Sequence, residues 1–167
     1  LENGLLPVMG KTKATGTEIN FLPDGEIFEK TRFKDKWLKS RLHETAYLNP
    51  ALTIHYENRR AGEEEQVDYS EPDGIVAYVR ELNAGKETVH EPIYYKGTSE
   101  KIEVEVAIQF VDAFEENTLG FCNNIFTQEG GTHLMGFKTR FTQLINGYAR
   151  ELGILKEKDS NFTGADT

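Results

Sequence analysis

The chain is organised around residues 115–152, which read EENTLGFCNNIFTQEGGTHLMGFKTRFTQLINGYAREL. Residues 119–126 form a short apolar run, which predicts a strand. The pair Gly130-Gly131 follows, and beyond it apolar side chains recur at steps of three and four, the period of an amphipathic helix. The sequence therefore predicts a strand, a glycine hinge and a long helix. The periodicity alone indicates a structural role for this arrangement and no particular function.

The predicted long helix has recognisable ends and one apolar face. Thr132 is positioned to cap its start with a side-chain oxygen, and Gly153 suits a left-handed stop at its end. His133 has no carboxylate or cysteine partner at ligand spacing, so we expect it to make a hydrogen bond at the helix start rather than bind a metal. Seven apolar residues share one face, which we expect to lie in the core: Leu134, Phe137, Phe141, Leu144, Ile145, Tyr148 and Leu152.

The composition is that of a globular protein with an acidic balance. The chain has 167 residues, 38% of them hydrophobic and 28% charged, which is enough for one domain or parts of two. The formal net charge is −9, so the chain as a whole repels a polyanion and is not expected to bind nucleic acid non-specifically. Residues 131–158 are locally basic, and a solvated helix face explains this more readily than a nucleic-acid-binding surface does.

Cysteine usage and hydropathy favour a cytoplasmic setting. The single cysteine, Cys122, lies in an apolar run, which predicts a buried, reduced thiol. No apolar run approaches the length of a membrane span, and the first residues lack signal-peptide features, so no membrane partner is expected.

The first part of the chain alternates strand and helix signals. Residues 15–23 predict a strand with Thr17 and Ile19 on one side. A helix is predicted over residues 35–48, closed by Asn49-Pro50. Its expected buried residues are Trp37, Leu38, Leu42 and Ala46. Residues 52–56 and 67–70 then predict a hairpin.

The second part predicts a helix over residues 75–83 and strands over residues 93–96 and 102–111. We expect the strand 102–111 to pair antiparallel with residues 119–126, with the long helix packed on that sheet. The tail after Lys156 is polar and expected to be loose. The fold class predicted for the whole chain is α+β.

Five stretches occur in the order found in one enzyme family. The most specific is NNI-x(4)-GGTH-x(2)-GFK at residues 123–138, and it resembles the ATPase half of the B subunits of the type II DNA topoisomerases, gyrase and topoisomerase IV. The other four are TGTEINFLPDGEIF, RLHETAYLNPALTI, GIVAYVRELN and VEVAIQFVDAFEENTLGFCNNI, at residues 15–28, 41–54, 74–83 and 104–125.

This resemblance implies two partial domains. Residues 1–66 would be the C-terminal part of a GHKL-type ATPase sandwich. Residues 67–167 would be the first part of a transducer domain that resembles ribosomal protein S5 domain 2, ending before the family's QTK loop.

The resemblance also assigns roles to individual residues. Thr17 matches the threonine that helps to order the adenine of ATP, and Ile19 would line the same pocket. Lys138 takes the basic position that faces DNA in the family, with Arg140 as a second candidate, and Gly130-Gly131 would be the hinge. The residues alone leave the simpler alternative open, in which Thr17 is a β-branched strand residue and the two cations lie on a solvated helix face.

The family's water-activating, phosphate-binding and magnesium-binding motifs do not occur in this sequence. No catalytic or metal-binding residue is therefore expected here, and the fragment alone is expected to be inactive. ATP and Mg²⁺ would be cofactors of the intact subunit, and its partners would be DNA, the topoisomerase A subunit and a second copy of the intact subunit.

Two other functions remain open on the sequence alone. One is a stand-alone acidic α+β interaction module without nucleotide chemistry, which the acidic balance favours. The other is a different GHKL protein such as MutL or Hsp90. The GGTHLMGF motif argues against it, because we do not expect that motif in those proteins.

Overall fold

The structure, a computed structural model, describes residues 10–11, 13, 15–113 and 116–166, in two units divided between Leu38 and Lys39. In the first unit, residues 15–23 run without strand pairing, so the predicted strand there is wrong. The alternation is present, but a strand also needs a hydrogen-bonded neighbour, and the described strands supply none to this segment. Asp24 then begins a turn, in which Phe28 N–H donates to its carbonyl at 2.8 Å.

Helix α1 covers Asp35–Leu48, with the bounds that the sequence predicts. Its buried residues are Ala46 and Tyr47, and Leu38 and Leu42 are half-buried. Trp37 is 60% exposed, so its predicted burial is wrong. At about 100° per residue, Trp37 and Ala46 lie on opposite sides of the helix and cannot share one buried face.

Strands β1, Thr53–Asn58, and β2, Glu65–Ser70, form the predicted antiparallel hairpin. Ile54 and Tyr56 are half-buried and alternate with exposed residues along β1. Helix α2 follows at Ile75–Leu82. The predicted domain boundary between residues 66 and 67 falls within β2, and the division into domains stays a prediction.

Strands β3, Ile93–Ser99, and β4, Ile102–Ile108, pair antiparallel with Ile93 opposite Ile108. Residues 102–108 therefore pair with β3, and the predicted pairing with residues 119–126 is wrong. The side chains of Ile102, Val104, Val106 and Ile108 share one face of β4, on which Ile102 and Val104 are exposed. On the other face, Lys96 forms ion pairs with Glu103 and Glu105 at 2.9 and 2.6 Å.

Residues 119–126 contain a tight hairpin where one strand was predicted. Strands β5, Phe121–Cys122, and β6, Ile125–Phe126, pair across Asn123 and Asn124, whose φ angles are 49° and 64°. Two consecutive left-handed residues form the turn that joins short antiparallel strands, and asparagine tolerates that conformation. Cys122 is exposed in this hairpin, so its predicted burial is also wrong.

Helix α3 covers Thr132–Glu151 and is the predicted long helix. Gly131 occupies the N-cap position, and within the described residues no side chain caps the helix, so the predicted Thr132 cap is wrong. Gly153, with φ of 72°, adopts the predicted left-handed conformation after the helix. No helix in the described part of the chain is long and apolar enough to cross a membrane.

The predicted core face of α3 is only partly covered. Leu134, Phe137, Phe141 and Ile145 are half-buried, whereas Leu144, Tyr148 and Leu152 are exposed, so their predicted burial is wrong. The most buried residues of α3 are Asn146 and Ala149, because the chain after the helix folds back over them. The helical period indicates which residues share a face but not which neighbour covers it.

The tail after Lys156 is held against α3 by specific hydrogen bonds, so the predicted loose tail is wrong. The Asn146 side chain accepts a hydrogen bond from Phe162 N–H at 2.7 Å and donates to the Phe162 carbonyl at 2.9 Å. The Arg150 guanidinium donates to the carbonyls of Lys156 and Asp159 and to the Asn161 side chain. Polar tail residues are therefore ordered by backbone partners that composition does not reveal.

Helices α1 and α2 pack closely where α2 begins. The rings of Tyr47 and Tyr78 stack with centroids 4.7 Å apart. Gly74, with φ of 57°, precedes α2, and a Cβ atom there would lie 2.8 Å from Pro50 Cγ and 3.4 Å from the Tyr47 carbonyl. Both the left-handed conformation and the close approach require glycine at this position.

We expect Gly74→Ala to lower the free energy of unfolding by about 1–3 kcal/mol, because the new methyl group is strained and meets Pro50. Gly136→Ala is the matched control, since it lies within α3 and a Cβ atom there has nothing within 4 Å. That change should raise the stability by about 0.5–1 kcal/mol. Urea unfolding of wild type and the two variants measures the direction of each change in the free energy of unfolding. Equal stabilities of the two variants would contradict the close packing at Gly74.

Candidate functional site

The residues predicted to contact ATP lie in the first unit. Thr17 and Ile19 are both exposed, Ile19 to 77%, on a segment without strand pairing. The neighbouring Phe21 packs edge-on against Phe33, with ring centroids 5.9 Å apart. The assignment of Thr17 and Ile19 to ATP stays a prediction.

Lys138, predicted to face DNA, lies on α3 in an ion pair. Its ammonium group is 2.5 Å from Glu116 Oε1, and both side chains are at least half exposed. Thr118 also donates a hydrogen bond to Glu116. The Lys138 ammonium, followed by the Thr118 hydroxyl, lowers the pKa of the Glu116 carboxyl. An approaching phosphate must therefore compete with Glu116 for this cation.

Arg140 lies two residues further along α3 and donates a hydrogen bond to Gln143 at 2.9 Å. Two residues correspond to about 200° around a helix, so Arg140 and Lys138 point away from each other. They therefore do not form one basic surface.

The glycine pair adopts a conformation that suits its predicted hinge role. The φ angles of Gly130 and Gly131 are 77° and 152°, both in the region that favours glycine. Gly130 N–H donates to the Thr127 carbonyl at 2.9 Å, and the Gly131 carbonyl accepts from Met135 N–H in the first turn of α3. A side chain at Gly131 would also meet the His133 ring at 2.9 Å.

His133 makes the predicted side-chain hydrogen bond at the start of α3. Its Nε2 is 3.2 Å from Thr127 Oγ1, and Thr127 uses its one hydroxyl proton to donate to the Gly120 carbonyl at 2.9 Å. The hydroxyl oxygen must then accept from His133 Nε2–H. The ring therefore fastens α3 to residue 127. In the described part of the chain no three His, Cys, Asp or Glu side chains are grouped to hold a metal ion.

Sequence reasoning missed a cluster of aromatic and acidic side chains between α1 and α2. The Tyr47 hydroxyl donates a hydrogen bond to Glu81, and its ring stacks on His43 with centroids 4.4 Å apart. His43 Nε2 lies 2.7 Å from Glu71. Burial, followed by the bond to Glu81, raises the pKa of the Tyr47 hydroxyl. The signal available in the sequence was the spacing of His43 and Tyr47, four residues apart on one helix face.

Comparison with known proteins defines the class to which these features belong. Residues 74–167 match the family model described as DNA gyrase B. That segment contains α2 to α3 with the glycine pair and Lys138, and it is more than half of the chain. The chain therefore belongs to the DNA gyrase B family.

Individual relatives extend the similarity towards the start of the chain. The gyrase B protein of Enterococcus faecalis is 45% identical over 163 residues, covering 96% of this chain and 25% of that protein. The topoisomerase 4 B protein of the same organism is 43% identical over 164 residues, covering 98% of this chain and 24% of that protein. The chain thus spans about a quarter of the length of these relatives.

A solved structure shares the fold. The 43K ATPase domain of Thermus thermophilus gyrase B, in complex with an aminocoumarin, superposes with a TM-score of 0.73 at 31% identity. The match covers 86% of this chain and 39% of that chain. The α+β class predicted from the sequence and the predicted family are both confirmed.

The Glu116–Lys138 ion pair predicts a pH dependence of stability. A carboxyl whose pKa is lowered on folding stabilises the fold above its unfolded pKa of about 4.3, and this contribution is lost as the pH falls through the lowered value. Glu116→Gln should therefore reduce the loss of stability between about pH 5 and pH 3. Glu100→Gln, at an exposed carboxyl between β3 and β4, is the control. Identical pH profiles of wild type and Glu116→Gln in thermal unfolding would contradict the ion pair.

Proposed function

We propose that this chain is part of the B subunit of an ATP-dependent, gyrase-like type II DNA topoisomerase. In that subunit it couples the binding and hydrolysis of ATP to the passage of one DNA duplex through another, which changes DNA topology. The observation that carries the proposal is the family match of residues 74–167, continued by similarity to the B subunits of gyrase and topoisomerase 4 over nearly the whole chain.

The proposal includes a division of labour along the chain. Residues 1–66 are the C-terminal part of a GHKL-type ATPase domain, and residues 67–167 are the first part of the transducer domain. The family match of residues 74–167, which lies entirely within the second of these parts and begins near its start, supports this arrangement. The catalytic and phosphate-binding groups belong to other parts of the intact subunit.

ATP and Mg²⁺ are the cofactors of the intact subunit in this proposal. Thr17 contributes its hydroxyl to the order of the adenine ring, and Ile19 supplies an apolar contact beside it. A hydroxyl can share a water molecule with a purine edge, and an apolar side chain two residues away supports the ring. The TGT wording at residues 15–17 supports these assignments.

DNA, the topoisomerase A subunit and a second copy of the intact subunit are the proposed partners, in the cytoplasm. Lys138 meets DNA phosphates when it exchanges Glu116 for a phosphate oxygen, a contact that carries charge but reads no sequence. Arg140 is the second DNA-facing cation, on another side of α3. Gly130 and Gly131 form the hinge through which the transducer responds to ATP.

The experiment that tests the proposal uses the complete subunit that contains this chain, reconstituted with an A subunit and circular DNA. We expect ATP-dependent change in DNA linking number. We expect Thr17→Ala to raise the KM for ATP about tenfold, because the variant loses one water-mediated or direct hydrogen bond to ATP. Thr15→Ala, an exposed threonine on the same segment, is the matched control and should leave KM within about twofold.

Two outcomes would contradict parts of the proposal separately. A complete protein that changes no linking number with ATP would contradict the topoisomerase function. A normal KM in Thr17→Ala, in an active enzyme, would contradict only the role of Thr17. The alternative function, an acidic interaction module, is disfavoured by the family membership of residues 74–167.

A further inference from the structure

A continuous row of aromatic rings links α1 to the hairpin that precedes the glycine pair. Successive ring centroids lie 5.0, 4.4, 4.7, 6.4 and 5.5 Å apart. In order, the rings are those of Tyr69, His43, Tyr47, Tyr78, Phe121 and Phe126. They come from β2, α1, α2, β5 and β6, so the row crosses five elements without a gap between neighbouring rings.

Hydrogen bonds at and beside the aromatic row also join the elements that carry its rings. The Tyr47 hydroxyl donates to Glu81 on α2, so the stacked rings of Tyr47 and Tyr78 cannot slide freely past each other. At the other end, the Asn124 side-chain amide donates to the Asn49 side-chain oxygen at 2.9 Å. The turn of the β5–β6 hairpin is therefore attached directly to the end of α1.

The hairpin is in turn attached to the start of α3 across the glycine pair. Thr127 donates to the Gly120 carbonyl through both its backbone N–H and its hydroxyl, at 2.9 Å each. The Leu134 side chain packs against Gly120 so closely that a Cβ atom there would lie 2.6 Å from Leu134 Cδ1. A displacement of the hairpin must therefore displace the first turn of α3.

Flat, stiff side chains suit such a connection. A Tyr or Phe ring has two rotatable side-chain bonds, and closely packed interiors transmit strain rather than absorb it. Energetic coupling between distant sites is carried by packed side chains and rigid elements that have two arrangements. The glycine pair between the hairpin and α3 supplies backbone that can change conformation.

We propose that this aromatic row transmits displacement of α1 to the glycine pair and α3, and that Tyr78 is its central positioning residue. This inference rests on the proposed function, because the displacement it transmits is the one that ATP binding causes. Tyr78 is central because its ring contacts Tyr47 on α1 and Phe121 on β5, and no other ring in the row joins those two elements.

The test compares variants in the complete subunit with its A subunit, measuring ATP hydrolysis and duplex passage in the same samples. Tyr78→Leu removes the ring and keeps an apolar side chain, whereas Tyr78→Phe keeps the ring. Tyr148→Leu is the matched control, since Tyr148 is an exposed tyrosine of α3 outside the row. Phe126→Leu, at the far end of the row, is a second variant at a more exposed position.

We expect Tyr78→Leu and Phe126→Leu to keep the KM for ATP and the rate of hydrolysis within about twofold, while the number of duplexes passed per ATP falls about fivefold. Tyr78→Phe and Tyr148→Leu should keep the wild-type ratio. The variant that combines Tyr78→Leu with Phe126→Leu should fall no further than Tyr78→Leu alone, because one break already interrupts the row.

An unchanged ratio in Tyr78→Leu, or a proportional fall of hydrolysis and passage, would overturn the inference while leaving the topoisomerase function intact. If Tyr78→Leu does not fold, the ratio in Phe126→Leu decides in the same way. A wild-type enzyme without ATP-dependent passage would instead overturn the proposed function, and with it the basis of this inference.

Discussion

The contact of Tyr47 with Tyr78 and Glu81 is the interaction through which α1 and α2 meet in the second unit. Tyr47 is 5% exposed, and its ring lies between His43 and Tyr78. A buried tyrosine must also satisfy its hydroxyl, and Glu81 accepts that bond. Next to this stack, Gly74 approaches Pro50 and the Tyr47 carbonyl closely, between the end of α1 and the start of α2.

A series of contacts leads from Tyr78 through the β5–β6 hairpin to α3. The second side of Tyr78 faces Phe121, which fixes the β5–β6 hairpin, and Asn124 ties the same hairpin to Asn49. The hairpin base then holds the start of α3 through Thr127. Elements far apart in the sequence are thus joined by a few polar and aromatic contacts rather than by a large apolar core.

Local features of the fold were predictable from the sequence because local chemistry determines them. The bounds of α1 follow from its period and from Asn49-Pro50, and the β1–β2 hairpin follows from alternation on both sides of a polar loop. Burial was less predictable. Leu144, Leu152 and Ile102 are exposed although each belongs to an apolar pattern, because a pattern specifies a face and not what covers it. Residues 119–126 form a hairpin and not one strand, because Asn123 and Asn124 adopt the left-handed conformation of a tight turn.

Residues of the candidate site could be predicted only where they belong to a motif shared with the family. The GGTH and GFK wording identified the glycine pair and Lys138, but nothing in the sequence indicated that Glu116, 22 residues away, would pair with that lysine. The aromatic row was missed for the same reason, since its rings come from positions between 43 and 126. Long-range contacts depend on how elements meet, which periodicity does not specify.

A double-mutant cycle between Tyr47 and Glu81 measures directly whether their hydrogen bond joins α1 to α2. The free energy of unfolding is measured in urea for wild type, Tyr47→Phe, Glu81→Gln and the double variant. We expect a coupling of about 1 kcal/mol or more, because each single variant already loses the hydrogen bond and the double variant cannot lose it again. Additive effects, with a coupling below about 0.3 kcal/mol, would contradict the claim that this contact holds α1 and α2 together.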